Sequence, residues 1–230
     1  MTSRKPDIAI LGGTGDLGSG LAYQLARAGY KITIGSRSAD KAHRASQELL
    51  EDAPGTCIEA AANPEAAAGA EVVIMTVPFA SHDQIIDSVR DSVQGKIFVD
   101  TTAPLVPPKV MRVQLPPGGS VAKAAQERLG EDVRVVSAFQ NIAAAHLRGD
   151  DLSENACDVL VCGNDPEARQ VVIELAQDIG LTAWHAGAID NSVVPEALTS
   201  ILIFLNKKYR LDGAGIRITG TEKSQEKNPS

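Results

Sequence analysis

Aromatic residues are scarce: Phe, Trp and Tyr together make up 3% of the 230 residues. A protein that reads single-stranded nucleic acid by stacking needs exposed rings, so the shortage argues against that class. Excess positive charge is missing as well. With a formal charge of −7 at pH 7, no global field draws in a polyphosphate, and any phosphate ligand must be held by local groups. The three cysteines, Cys57, Cys157 and Cys162, form no CxxC and no metal-like set with the four histidines. Buried structural thiols in a reducing cytoplasm are the expected state, and no metal site is assigned. No apolar run approaches the roughly 20 residues a bilayer span requires. The first residues, MTSRKPD, lead directly into a strand without an apolar signal core.

Catalytic signatures are also missing. There is no Tyr-x-x-x-Lys pair, no GxSxG and no HExxH. His43, His146 and His185 read as surface or structural residues. His82, at a helix start just past the fourth strand, is the best placed to touch a ligand, but nothing marks it as a general base. No catalytic residue is assigned.

What the chain does have is alternation. Strand-like runs at 7–12, 31–36, 57–62, 71–78, 96–102 and 133–139 are separated by helical patterns at 17–28, 39–52, 63–68, 82–93 and 120–129. Near-continuous apolar strands between amphipathic helices predict a parallel sheet covered on both faces. The fold class is therefore α/β: a doubly wound parallel sheet of the Rossmann dinucleotide-binding type over residues 1–154. After RGDDLSENA the pattern restarts with a strand at 157–164, a helix at 165–180, a short strand and an apolar helix at 192–209. This predicts a small C-terminal α/β domain over 155–220, with the apolar helix packed on the first domain or on a second subunit. The polar tail 221–230 lacks apolar anchors and is expected to be disordered.

Gly13-Thr14-Gly15-Asp16-Leu17-Gly18 fits the GxGxxG spacing and lies between a strand and a helix. The first glycine permits the tight turn, the second lets the backbone approach pyrophosphate, and the third lets the helix sit close to the strand. The helix N-terminus offers N–H groups to the phosphates. An NAD-specific domain places an acid at the end of the second strand, about 20 residues further on. Here that place holds Gly35-Ser36-Arg37, with Lys41 and Arg44 in the next helix. A hydroxyl, a guanidinium fork and an ammonium favour a ribose phosphate that a carboxylate would repel, so the expected cofactor is NADP.

Two mostly apolar segments are expected at the carboxyl ends of the strands, Thr76-Val77-Pro78-Phe79 and Ser137-Ala138-Phe139-Gln140-Asn141-Ile142-Ala143. Such walls suit two flat rings stacked for hydride transfer, with the protein supplying placement and dryness.

The series ILGGTGDLGSGLA, GSRSADKA, MTVPF, RVVSAFQNIAA, CDVLVCG, EALTSILI and GIRITG, in this order from Ile8 to Gly220, resembles the NADP oxidoreductases that use the deazaflavin coenzyme F420. The resemblance implies hydride exchange between C4 of nicotinamide and C5 of the deazaflavin. Carried over by position, it implies that Thr14 and the glycine-turn amides meet phosphate, and that Ser36, Arg37 and Lys41 hold the 2′-phosphate. Thr76, Val77 and Pro78 would line the nicotinamide side, and Gln140, Ile142 and Ala143 the deazaflavin. Archaeal members carry a histidine and a proline where this chain has Gln140 and Ala143, and a glutamine does not become cationic near neutral pH. The expected partners are small redox coenzymes, with neither nucleic acid nor membrane, and a second copy of the chain. Two alternatives stand beside this reading: an NADPH-dependent reductase of a flavin or ferric chelate, and a non-catalytic NADP(H)-sensing protein.

Overall fold

The structure, a computed structural model, describes residues 4–149, 152 and 157–220. Eight strands form one sheet in the order β3-β2-β1-β4-β5-β6-β7-β8. The strands are β1 (Ile8–Leu11), β2 (Ile32–Ser36), β3 (Ile58–Ala62), β4 (Val72–Met75), β5 (Ile97–Asp100), β6 (Arg134–Ser137), β7 (Val159–Gly163) and β8 (Ala183–His185). The helices are α1 (Asp16–Arg27), α2 (Ala39–Asp52), α3 (Asn63–Gly69), α4 (His82–Val89), α5 (Val121–Leu129), α6 (Pro166–Asp178) and α7 (Val193–Tyr209).

The period of two in the strands divides the core. Ile8 and Ile10 face the apolar cluster under α1, α2 and α6, together with Val72 and Ile74. Ala9 and Leu11 face the cluster under α3, α4 and α5, with Val73 and Met75. That is the two-sided burial expected of a doubly wound sheet. The order turns around between β1 and β4, which run parallel with Ile8 beside Val72. At such a reversal the loops on the carboxyl edge part and leave a crevice.

Several boundaries differ from expectation. The strands predicted over 71–78 and 96–102 leave the ladder at Met75 and Asp100. Pro78 has no N–H to give a sheet, and the chain there turns into a short 3-10 turn, Phe79–Ser81. The helix predicted over 82–93 ends at Val89 and tightens into a 3-10 turn, Arg90–Val93.

The C-terminal segment joins the first sheet. β7 pairs antiparallel with β6 through Val136–Gly163 and Ser137–Cys162, which breaks the all-parallel pattern. Val159, Val161 and the α6 residues Val172 and Leu175 belong to the same apolar cluster as α1 and α2, so the core runs on without a break. Residues 213–218 fold back on the start of β7, with Asp158 N donating to Ile216 O at 2.8 Å. The tail 221–230 lies outside the described residues. Among the described residues no helix is long and apolar enough to cross a membrane.

Candidate functional site

The crevice beside β1 is built around glycine. Gly12, which the sequence reading passed over, takes the left-handed turn at φ 77°, and a Cβ there would lie 2.8 Å from Val77 Cγ1. Gly13 has an ordinary φ and must be small because a Cβ would stand 2.9 Å from Ile10 O. Gly18 has no room either: a Cβ would reach the Thr76 hydroxyl and come within 2.8 Å of Gly12 O. Gly15 is different, since its only neighbour would be Gly12 O at 3.5 Å. This leaves its backbone open to the crevice, as a close approach to pyrophosphate needs. No side chain caps α1, and Ser19 N donates to Gly15 O at 2.8 Å. The amides of Asp16, Leu17 and Gly18 precede that bond, an arrangement that suits an anion. Asp16 itself is exposed, and Leu17 packs half-buried on the core.

A cleft of ≈ 230 Å³ joins this turn to the end of β2, bringing Thr14 and Gly15 together with Ser36, Arg37 and Lys41. Ser36 is buried and its Oγ accepts from Ser38 N at 3.3 Å, which leaves its hydrogen to donate. Ser38 caps α2, accepting from Lys41 N at 3.4 Å. Arg37 and Lys41 are exposed, and among the described residues neither forms an ion pair. A hydroxyl donor, two cations without partners and a helix N-terminus converge on one spot, so the donor set fits a phosphate monoester on the ribose. Arg44 is exposed one turn beyond and does not line the cleft.

The cleft also reveals Asn63, which the sequence reading missed. It is 4% exposed and its Oδ1 has no hydrogen-bond partner. Its only signal in the chain was its place at the end of β3, on the ligand-facing edge. On the opposite wall stand Thr76, Val77 and Pro78. Thr76 Oγ1 donates to Leu11 O at 3.0 Å and so ties the end of β4 to the end of β1.

The second predicted segment does not line this cleft. Ala138 is fully buried and its N–H donates to Asp100 O at 3.2 Å. Gln140 is buried, with Nε2 donating to Asp100 O at 2.9 Å and to Ser137 Oγ at 2.8 Å. Its amide N–H groups serve the protein, and its Oε1 has no partner. Ile142 and Ala143 are half-buried beside a separate small gap bordered by His146 and Gly213. Between Ala138 and Gln140 the fully buried Phe139 has φ 69°. A bulky side chain in the left-handed region costs on the order of 1–2 kcal/mol and persists only where its neighbours hold it.

His82 is buried and turned to the protein. Its Nε2 lies 2.7 Å from Asp100 Oδ2 and its Nδ1 lies 3.0 Å from Asp83 Oδ1. Burial alone would push this imidazole down, but the hydrogen bonds and charges of Asp100 and Asp83 outweigh it and hold its pKa above the usual histidine value. Of the other histidines, His43 and His185 are exposed and His146 is half-buried. Among the described residues no group of His, Cys, Asp and Glu could hold a metal ion.

Fold and crevice together define a doubly wound dinucleotide-binding protein whose donor set favours a phosphorylated coenzyme. The chain belongs to the F420-dependent NADP oxidoreductase family. Residues 7–104 match the family described as NADP oxidoreductase coenzyme F420-dependent. The F420-dependent NADP reductase of Methanocaldococcus jannaschii is 45% identical over 224 residues, covering 94% of this chain and 99% of that protein. A solved structure described as a putative F420-dependent NADP reductase from Arthrobacter sp. FB24 superposes with a TM-score of 0.75 at 25% identity, over 94% of this chain and all of that one. The metalloreductase STEAP3 of Rattus norvegicus is 28% identical over 84% of this chain but only 36% of its own length.

Proposed function

We propose that the protein is an oxidoreductase that exchanges a hydride between NADP(H) and the deazaflavin coenzyme F420. The observation that carries the reading is the joining, in one cleft, of an open glycine turn with Ser36, Arg37 and Lys41, in a chain 45% identical to an F420-dependent NADP reductase. The coenzymes bring the chemistry, a hydride passing between C4 of nicotinamide and C5 of the deazaflavin. The protein's part is binding and placement. The amides of the glycine turn and of the first turn of α1 hold pyrophosphate, and Ser36, Arg37 and Lys41 hold the 2′-phosphate. Thr76, Val77 and Pro78 give the nicotinamide a largely apolar wall. The half-buried Ile142 and Ala143 present the loop after β6 to the deazaflavin, and dry contact on both sides keeps water from the transfer. Hydride exchange between two ring carbons needs no protein proton donor at either one.

The working unit is a homodimer joined through α7. Val194, Ile201 and Phe204 on this helix are 59%, 43% and 45% exposed, a stripe that a second copy of the same helix would cover. The free thiols of Cys57, Cys157 and Cys162 suit a reducing cytoplasm.

Mixing reduced F420 with NADP tests the reaction: deazaflavin absorbance returns as NADPH absorbance appears. The STEAP3 likeness favours one rival, reduction of a flavin or ferric chelate, and turnover of those acceptors alone would select it. Binding of NADP(H) without turnover of any acceptor would mean a sensor.

A further inference from the structure

Asp100 ends β5 with 0% exposure, and the alternation that sends Phe98 under α4 and α5 sends Asp100 to the same face. There its Oδ2 meets His82 Nε2 at 2.7 Å. Its other oxygen accepts from Thr102 N at 2.9 Å. Its main-chain carbonyl accepts from Gln140 Nε2 at 2.9 Å. One buried residue thus pins three loops on the ligand-facing edge: the loop entering α4, which follows Thr76–Pro78, the loop after β5, and the loop after β6, which carries Ile142 and Ala143. The strained Phe139, next to Gln140, is held by that last anchor.

His82 has a carboxylate oxygen at each ring nitrogen, Asp100 on one side and Asp83 on the other. Two acceptors facing one ring call for N–H at both nitrogens, which only the imidazolium provides. Losing either proton would turn a nitrogen lone pair towards a carboxylate and loosen the clamp.

We propose that the His82–Asp100 pair is a positioning unit that sets the spacing between the two ring subsites, so that protonated His82 is required for fast hydride transfer although it touches neither coenzyme. The proposal rests on the reading of function given above. The acidic groups around the pair favour the cation. Asp83 belongs to α4 itself, and Asp100 comes from β5. Arg128 on α5 reaches Asp83 at 3.4 Å while pairing with Asp87. Glu196 on α7 is close enough for its charge and that of Asp100 to interact. The ring of Phe79, with its centroid 6.5 Å away, is the aromatic neighbour.

The experiment compares two midpoints in the full-length protein. Nitrogen NMR of the imidazoles, with His82→Gln for assignment, follows the charge on His82 without any coenzyme. Single-turnover hydride transfer is then measured against pH in the wild type, His82→Gln and Asp100→Asn. The rate should fall at alkaline pH with the midpoint of the His82 titration. Asp100→Asn should move both midpoints down by about one pH unit or more and slow transfer roughly tenfold or more. His82→Gln should be slow and lack that limb, while calorimetric NADPH affinity stays within about twofold in both variants. Titration of a coenzyme itself is common to all three proteins and cancels in the comparison. A His82 that is neutral at pH 7, midpoints that do not coincide, or an Asp100→Asn variant with wild-type rate and profile would overturn the proposal. If the variants do not fold, coincidence of the two wild-type midpoints decides it. A wild-type protein that binds NADPH but transfers no hydride to F420 at any pH overturns the functional reading, and the proposal with it.

Discussion

At Ser36 and Arg37 a hydroxyl and a guanidinium stand where an acid would select unphosphorylated NAD, and we propose that this exchange sets coenzyme preference. Replacing Arg37 by Asp puts a like charge beside the phosphate and removes a charge-assisted pair. Calorimetry should find NADP binding weakened by roughly 3 kcal/mol, about a hundredfold in Kd, with NAD affected far less. Ile142 allows the complementary test from the other side. Ile142→Trp adds bulk to the loop proposed to face the deazaflavin, so turnover with F420 should fall while NADP affinity is kept. Retained turnover would remove Ile142 from that subsite. Both positions were nominated from their order in the chain. Gly12 and Asn63 were not, because the GxGxxG spacing says nothing about which glycine takes φ 77° or which distant amide closes the cleft.

Among the elements, α7 is tied to the start of α5 through Glu196. Glu196 is 1% exposed and accepts from Ser120 Oγ at 2.9 Å and from the N–H groups of Val121 and Ala122 at 2.7 and 3.0 Å. A carboxylate carried by α7 thereby serves the N-terminus of α5, where the orphan amides and the helix dipole welcome it. Burial raises the Glu196 pKa, and the three donors hold back that rise without cancelling it. The same helix also supports the site, since Thr199 Oγ1 donates to Gln140 O at 2.9 Å. Glu196→Ala would strand the buried amides of Val121 and Ala122, while the Ser120 hydroxyl keeps Ser192 Oγ as a partner. Urea unfolding should show a loss of about 3 kcal/mol, with the slope unchanged if the fold is kept. The sequence marked α7 as apolar and in need of cover, yet gave no hint that its one buried acid reaches across to another helix.

For the molecule as a whole, the uncovered stripe on α7 predicts association. Sedimentation should find a dimer, and Phe204→Lys, which places a charge in the middle of the stripe, should shift it towards monomer. A monodisperse wild-type monomer would contradict the proposed interface. Stability against pH follows from His82. Its folded pKa stands above the ordinary value, so the stabilisation from its ion pair is complete below the unfolded histidine value and is lost as the pH rises through the folded one. The thiols of Cys157 and Cys162, both raised by burial, add losses in the same direction at higher pH. The melting temperature should therefore decline from neutral to alkaline pH, with the first part of the decline missing in His82→Gln.

The sequence determined the alternation of strands and helices, the glycine turn and the cationic end of β2, because each is written in neighbouring residues whose spacing matches a local geometry. It did not determine that β7 runs antiparallel onto the edge of the same sheet, since strand direction depends on where the connecting chain returns. Nor could it pair His82 with Asp100, Gln140 with Asp100 or Glu196 with Ser120. Those partners are 18, 40 and 76 positions apart, and only the packing of helices and loops on the sheet brings them within hydrogen-bond reach. Buried polar groups must find partners, but which ones they find is decided by the tertiary structure.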